Sequence, residues 1–363
     1  MAPALRSLAN VDLTKIETNA VLRVVAQASR ALGELKGLAA SIPNDAILIN
    51  ALALQEAKDS SAIENIVTTH DELFKAHAVV DTASLSAKEV DRYAQALRLG
   101  YTHLGERKVL ATSTIVQIQA ALEPAKAGFR KVPGTALRDS AGRVVYTPPD
   151  PSAIAALMGD FEKFIHQSTN ARLDPLIRMA VAHHQFESIH PFYDGNGRTG
   201  RILNVLMLVL DNLLNTPILY LSREILRSKS DYYRLLQDVR DSNDSPNAWE
   251  AWLIYLVDAV RTTAEQGIST VSAIAVALQD VKHRVRASLP RIYSQDLLNN
   301  IFTNPYTKIE FVERDLRVTR LTATKYLNAL AQHGFVTRKK AGRSNYYVND
   351  ALVRILSNVG APP

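Results

Sequence analysis

Two apolar helical stretches, LIRMAVAHHQFESI (176–189) and RILNVLMLVLDNLL (201–214), are joined by a segment through which no helix can run. That segment is HPFYDGNGRTGR, residues 190–201. Pro191 biases His190 away from helical geometry, and Gly195 and Gly197 admit backbone angles that other residues avoid. Asp174 and Pro175 form an N-cap and N1 pair that opens the first helix. The second is predicted to start near Arg198. The layout is helix, tight loop, helix, with the loop feeding the N-terminus of the second helix.

The residues in this loop suit phosphate chemistry. Amides around Gly195 and Gly197 can converge on one anion, and the dipole of the following helix points at the same place. Arg198 and Arg201, three apart, share a face of the first turn and can clamp phosphate oxygens in pairs. Asp194 is a hard oxygen ligand suited to Mg²⁺ bridging phosphates. His190 is placed to accept a proton from an incoming hydroxyl. The set suggests nucleotidyl or phosphoryl transfer. A calcium loop fails, because Arg198 and Thr199 replace the required Asp/Asn and Gly, and Val205 stands where Glu is needed. His183 and His184 are adjacent on different helix sides, so we expect a packed pair there rather than a zinc site. No GxxxxGK[ST] is present, so this is not a P-loop.

The rest of the chain frames this core. Residues 1–110 read as helices, with INALALQEAKDSSAIENI (49–66) carrying helical apolar spacing and Thr69, His70 and Asp71 opening another helix. Residues 128–149 break the pattern with glycines, prolines and the β-prone run of Val144, Val145, Tyr146 and Thr147 after a turn at residues 139–142, which predicts a hairpin or flap. Helices resume at Ile154, and a polar cluster at 242–247 precedes a tryptophan-bearing helix at 249–260. The chain has 363 residues, 47% of them hydrophobic and 21% charged, with no cysteine. This fits a multidomain globular protein and excludes disulfides and thiolate zinc sites. No secretory leader or membrane span is read, so a cytoplasmic location is expected. Net charge is a modest +6, yet seven Lys/Arg and no acidic residue lie between Asp315 and Asp350.

HPFYDGNGRTGR resembles the signature of the Fic family, HPFx[DE]GNGRxxR, at every defined position. The surroundings are similar too: the flap ending Tyr146-Thr147-Pro148-Pro149, the segment PILYLSREILRSKSDYYRLLQDVR and the helix behind it. The resemblance covers roughly residues 30–260. It implies a mainly α fold, a Fic-type helical core with a β-hairpin flap formed by Val144, Val145 and Tyr146. It also implies transfer of AMP from ATP to a Ser, Thr or Tyr hydroxyl of a target protein and of the enzyme itself. By the same resemblance His190 is the general base and Asp194 holds Mg²⁺. Gly195, Asn196, Gly197, Arg198, Thr199, Gly200 and Arg201 bind the ATP phosphates, with adenine near Tyr232 and Tyr233. In the Doc-like branch a lysine replaces Gly197 and the reaction becomes phosphorylation; the glycine here favours AMP transfer.

SSAIEN, residues 60–65, is similar to the family's inhibitory-helix pattern [ST]xxxE[GN]. Ser60 and Glu64 are then inhibitory residues, Glu64 also reaching the ATP site by competing with the γ-phosphate for Arg201. The same carboxylate leaves room for removal of AMP as a second activity. Residues 310–349 resemble a winged helix-turn-helix, with a recognition helix at 322–332, Arg320 and Lys325 near its start, and a wing at 338–343. The expected division is an N-terminal helical region over 1–110, a catalytic core over 111–265, a helical linker over 266–290 and a winged-helix domain over 291–363. Partners are a hydroxyl-bearing target protein, with a homodimer and DNA at residues 317–343 left open and no membrane expected. The alternatives are another nucleotide or phosphodiester donor, or a DNA-binding regulator whose Fic domain senses ATP.

Overall fold

The computed structural model describes residues 15–69, 72–73, 84–139, 141–166, 173–242, 245–341 and 344–357, with Leu5 and Leu8. The chain forms two compact units, one made of residues 1–33 and 95–264, the other of 34–94 and 265–363. Their boundaries fall inside helices α1 (Asn19–Ala39), α3 (Leu85–Arg107) and α10 (Pro246–Ser288). The tryptophan-bearing helix and the expected linker are thus one helix of 43 residues. Among the described residues no helix is long and apolar enough to cross a membrane.

The first unit is built around α6 (Pro175–Ile189) and α7 (Asn196–Leu210), which pack along each other. Asp174 caps α6 through its side chain, accepting from the Leu176 amide at 2.8 Å, with Pro175 at N1 as expected. Nearly every residue of α6 is buried, polar ones included, which marks it as a central rather than a surface helix. α4 (Thr112–Leu122) packs against α7, and α5 (Ile154–His166) against α6. α8 (Leu221–Arg227) and α9 (Lys229–Asp241) follow along the chain. The first part of α10 closes the unit with Trp249 and Trp252, both buried. Trp252 donates its indole N–H to the Ala180 carbonyl at 2.9 Å, so the ring is buried without stranding a donor. His183 and His184 form the expected packed pair. His183 stacks on Trp252, and His184 meets Trp249 edge-on. Close packing is visible at Gly200, where a β-carbon would stand 2.7 Å from Glu187 Oε1 and 3.2 Å from Phe186 Cδ1. Any side chain there would push Glu187 and Phe186 aside, so glycine gives α6 and α7 their closest fit.

The hairpin exists as expected: β1 (Leu137–Arg138) pairs antiparallel with β2 (Val144–Tyr146). Asp139 ties the turn by accepting from the amides of Ala141 and Arg143, each at 2.9 Å. Ser140 lies outside the described residues. The outer edge of β2 carries no strand among the described residues, and Val144 and Val145 are exposed.

In the second unit α2 (Asp45–Ile63) packs against α11 (Gln295–Thr303). α2 ends where Glu64 forms the C-cap and Asn65 turns left-handed, φ 65°. The Ile66 amide donates to Ser61 O and the Asn65 amide to Ala62 O, each at 3.0 Å, which is the Schellman arrangement. That conformation favours Gly or Asn, giving a physical reason for the final position of SSAIEN. Thr69 and Glu72 form a reciprocal capping box at 3.2 Å each way; His70, Asp71 and residues 74–83 of the expected helix lie outside the described residues. The C-terminal part follows the expected order with two additions. Helices α12 (Ile309–Leu316) and α13 (Arg320–Gln332) are separated by Arg317 at φ 55°. Strands β4 (Thr337–Ala341) and β5 (Ser344–Val348) form the wing, and β3 (Tyr306–Thr307) joins β5 on its other edge, before α14 (Asp350–Ser357). α13 starts at Arg320, two residues earlier than expected, because the Thr319 side chain caps it by accepting from Thr322 N. Gly342 and Arg343 of the wing lie outside the described residues.

Candidate functional site

The loop between α6 and α7 is held by its own residues. His190 closes α6 in a left-handed conformation, φ 47° and ψ 60°, with its amide bonded to Phe186 O at 3.0 Å. A histidine seldom adopts φ above zero, so tertiary contacts must fix it there. Asn196 grips Phe192 from both sides: its carbonyl oxygen accepts from Phe192 N and its amide donates to Phe192 O, each at 2.9 Å. Gly195 takes φ 74°, and a β-carbon there would also press on Glu123 Cγ at 3.3 Å. This left-handed residue starts α7 at Asn196, two residues before the expected Arg198. The first helical hydrogen bond runs from Thr199 N to Gly195 O. The amides of residues 196–198 therefore have no acceptor within the helix.

Four charges meet at this helix start. Asp194 Oδ2 lies 2.7 Å from Lys126 Nζ, and Asp194 Oδ1 accepts from Gly195 N at 2.8 Å. Arg198 pairs with Glu123 Oε1 at 2.8 Å and stands 3.7 Å from Asp194 Oδ1. Glu123 caps and Lys126 ends a short 3-10 turn, Pro124–Lys126, after α4. Gln119, inside α4, locks this turn to the loop by donating to Lys126 O at 3.1 Å and Asp194 O at 3.2 Å. Burial raises the Asp194 carboxyl pKa, but the Lys126 hydrogen bond, the Gly195 amide and the Arg198 charge outweigh it and leave it below the usual value.

His190 sits where the flap returns to the core. Arg130, a buried side chain, donates from Nε to His190 O at 2.9 Å and from Nη2 to Pro149 O and Ile189 O. Its backbone amide binds Pro191 O at 2.9 Å, beside a bridge between Phe129 and Phe192. Tyr146 of β2 donates to Ser188 O at 2.9 Å, and Arg240 lies over its ring at 4.1 Å while bonding Ser188 Oγ at 3.0 Å. Tyr193 accepts the amides of Lys131 and Val132 at 2.8 and 3.2 Å, pinning the other stem. His190 keeps part of its surface in solvent, while its ring Nδ1 is buried. Burial, then the Arg240 and Arg130 charges, push its pKa down to about 4. The imidazole is neutral at physiological pH, as a base requires.

The other expected site residues fall into distinct places. Asn196 is buried and both ends of its amide are occupied by Phe192, so anion contact at this position falls to its backbone N–H. Thr199 and Gly200, expected at ATP, are buried, with Gly200 set against Glu187 and Phe186 of α6. Arg198 and Arg201 are both buried rather than projecting freely, and Arg198 is held by Glu123. Tyr232 is in the core with its hydroxyl 2.9 Å from His183 Nε2, whereas Tyr233 is exposed. Ser60 is fully buried and Glu64 ends α2; both belong to the second unit.

Asp194 is the candidate metal ligand of this site. No group of three or more ligating side chains occurs among the described residues, and Asp194 offers one half-exposed carboxylate. That fits Mg²⁺, which keeps several waters and takes one or two carboxylates plus substrate phosphates. Sequence reasoning missed Glu123, Lys126, Arg130 and Arg240. They lie far along the chain from residues 190–201, and no spacing links them to it.

Three family models match the chain in order. They are Fic/DOC family N-terminal over residues 22–102, Fic/DOC family over 109–208, and the C-terminal domain of protein adenylyltransferase SoFic-like over 277–352. A protein adenylyltransferase Fic from Drosophila sechellia is 32% identical over 101 residues, which are 28% of this chain and 19% of that protein. Its counterpart from Drosophila yakuba is 43% identical over 58 residues, 16% of this chain and 12% of that one. The matched stretch is thus about a fifth or less of these relatives' length. A Fic family protein from Desulfovibrio desulfuricans G20 superposes with a TM-score of 0.58 at 20% identity, over 91% of this chain and 96% of its own. Fic-1 from C. elegans gives 0.53 at 21% identity over 70% of this chain and 73% of its own.

The His190 environment makes a testable prediction. A group whose folded pKa is depressed supports folding fully above its ordinary pKa, and that support is lost as pH falls towards the folded value. NMR titration should show the His190 ring staying neutral from pH 8 down through 6.5 and protonating near 4. Arg240→Met should move the midpoint upward. A wild-type midpoint at 6.5 would refute this account of the ring's surroundings.

Proposed function

The chain belongs to the Fic/DOC family, and on that premise we propose that it is a protein adenylyltransferase that moves AMP from ATP to a hydroxyl side chain. The observation carrying this reading is the joining of a neutral His190 to an anion-accepting helix start flanked by Asp194 and Arg198. The amides at residues 196 and 197, which have no acceptor within the helix, receive the α- and β-phosphates. Asp194 would hold a divalent cation, which would supply further charge neutralisation on those phosphates. His190 takes the proton of the target hydroxyl; the oxygen attacks the α-phosphorus, and the bond to the β-phosphate oxygen breaks, releasing pyrophosphate. The polyanionic donor beside His190 raises its pKa towards the ordinary imidazole range, which improves it as a base. Positioning and charge supply most of the acceleration in such reactions. The open edge of β2 suits a target segment adding as a strand, and we place the activity in the cytoplasm.

Incubation with α-labelled and γ-labelled ATP tests this reading: only the α-label should remain on protein. His190→Ala should lower transfer by about 10²–10⁴-fold while leaving ATP binding largely intact. Near-wild-type transfer by that variant, or retention of the γ-label, would overturn the assignment.

The SSAIEN motif supports a regulatory reading, in which Glu64 competes with the γ-phosphate for Arg201 and so favours an unproductive pose of the nucleotide. Glu64→Gly should raise AMP transfer about ten-fold or more, since 1.36 kcal/mol is a factor of ten, and Glu64→Asp should do so partially. An unchanged rate with saturating Mg²⁺-ATP would show that control lies elsewhere. If Glu64 also positions a water for removing AMP, Glu64→Gly will lose that release.

A second reading attaches to the C-terminal domain, for which we propose duplex DNA as partner. Its support is the exposed row of Arg338, Lys339 and Lys340 on β4, with Lys325 exposed on α13. Leu321, 82% exposed on α13, suits apolar contact with thymine methyls. Arg320 contributes less than its charge suggests, because Glu310 and Glu313 hold it at 3.0 and 3.5 Å. Retention on duplex DNA should fall as salt rises, and Lys339→Glu with Lys340→Glu should weaken it without altering self-modification. Retention that ignores salt or is absent would make this a protein-interaction module.

A further inference from the structure

The four-charge cluster at the start of α7 contains one side chain that no part of the proposed reaction has yet used. Lys126 lies at the end of the 3-10 turn, and its ammonium sits 2.7 Å from the Asp194 carboxylate that would receive a divalent cation. The other three members are constrained. Arg198 is only 2% exposed and held by Glu123 at 2.8 Å. Asp194 is fixed through Gly195 N and its own carbonyl, which accepts from Gln119. Lys126 has its backbone held by Gln119 but keeps 54% of its side chain in solvent. A lysine head on a four-carbon stem carries three rotatable donors and can swing several ångströms without moving the main chain. The cluster therefore has a rigid part, Asp194 with Arg198 and Glu123, and one movable cation.

Charge balance dictates what must happen on loading. With both acids and both bases ionised the cluster is neutral. A divalent cation arriving at Asp194 would find Lys126 in its place, and two cations cannot share that oxygen at contact distance. The phosphates that arrive with the metal bring several negative charges beside the same turn. The ammonium then loses its carboxylate and gains phosphate oxygens.

We propose that Lys126 is a substrate-binding residue with two positions, guarding the Asp194 carboxylate in the empty site and moving to the donor's phosphates when metal and nucleotide enter together. Lys126 disfavours metal without nucleotide and favours the metal–nucleotide pair, so cation loading is coupled to the presence of donor. This rests on the donor-site reading given under the proposed function.

The two roles predict effects of opposite sign from one substitution. In full-length protein, Mn²⁺ binding without nucleotide is followed by the EPR signal of free Mn²⁺. Binding of Mg²⁺ with a non-transferable α,β-methylene ATP analogue is followed by calorimetry. Lys126→Met should bind Mn²⁺ alone about two- to five-fold tighter, a size set by the half-exposed ion pair it removes. It should bind the Mg²⁺–analogue pair several-fold more weakly. Lys126→Arg should stay near wild type in both assays, and Asp194→Asn should abolish the Mn²⁺ gain seen on removing Lys126. Lys126→Met that leaves Mn²⁺ affinity unchanged or lower, or that leaves analogue affinity unchanged, overturns the proposal while the donor site stands. A wild-type protein that binds the analogue neither with nor without Mg²⁺ overturns the donor-site reading itself, and this proposal with it.

Discussion

The buried guanidinium of Arg130 is the interaction on which the site depends. One side chain reaches three carbonyls, His190 O, Pro149 O and Ile189 O, and so ties both stems of the flap to the end of α6. Burial costs this cation and lowers its pKa, yet every carbonyl it serves would otherwise be a strained helix end or a loop end in need of a donor. Its planar fork explains why arginine rather than lysine suits the place. Together with the hydrogen bond from Tyr146 to Ser188 O, Arg130 keeps β2 beside the end of α6 and helps hold His190 in its left-handed conformation. It thus links the position of the proposed base to the flap, while the depressed His190 pKa comes first from burial and then from Arg240 and Arg130.

The charged residues around the loop obey the rule that buried charges must be paired. Arg198 with Glu123 satisfies it at 2.8 Å, and Asp194 with Lys126 does so at the more exposed rim. The inner pair is therefore structural and the outer pair exchangeable. Gly195 makes this possible: its left-handed backbone turns the chain into α7, and its missing β-carbon admits Glu123. The same glycine that opens the amides to an anion also admits the acid that fixes the neighbouring arginine.

How a catalytic group is neutralised or charged is likewise a matter of neighbours. His183, His184 and His190 are of one residue type on one helix, yet only His190 reaches the loop. The first two are sealed against Trp249 and Trp252 and pushed well below the ordinary imidazole range by burial. His190 is only part-buried as a residue and stands at the flap. The three differ in environment, not in chemistry.

What the sequence alone determined is local. Asp174-Pro175 opens α6, Pro191 ends it, Thr69-x-x-Glu72 makes a capping box, and the asparagine of SSAIEN takes the left-handed cap. Each depends on neighbours within about four residues, so each is legible in order. The loop 190–201 and the flap at 137–146 were legible for the same reason, as were the two helices and the hairpin between residues 309 and 348, whereas β3 and α14 were not. What only the tertiary structure decided is long-range. Glu123 and Lys126 meet residues about 70 positions away, Arg130 meets His190 across 60, and the two compact units are each assembled from separated chain segments. Thr199 and Gly200 belong to a packed helix face, although their place in the motif suggested ligand contact. Periodicity and motif spacing report which way a side chain points on its own element. They do not report which distant charge the fold brings against it, and that is what sets the pairings, the pKa shifts and the movable lysine of this site.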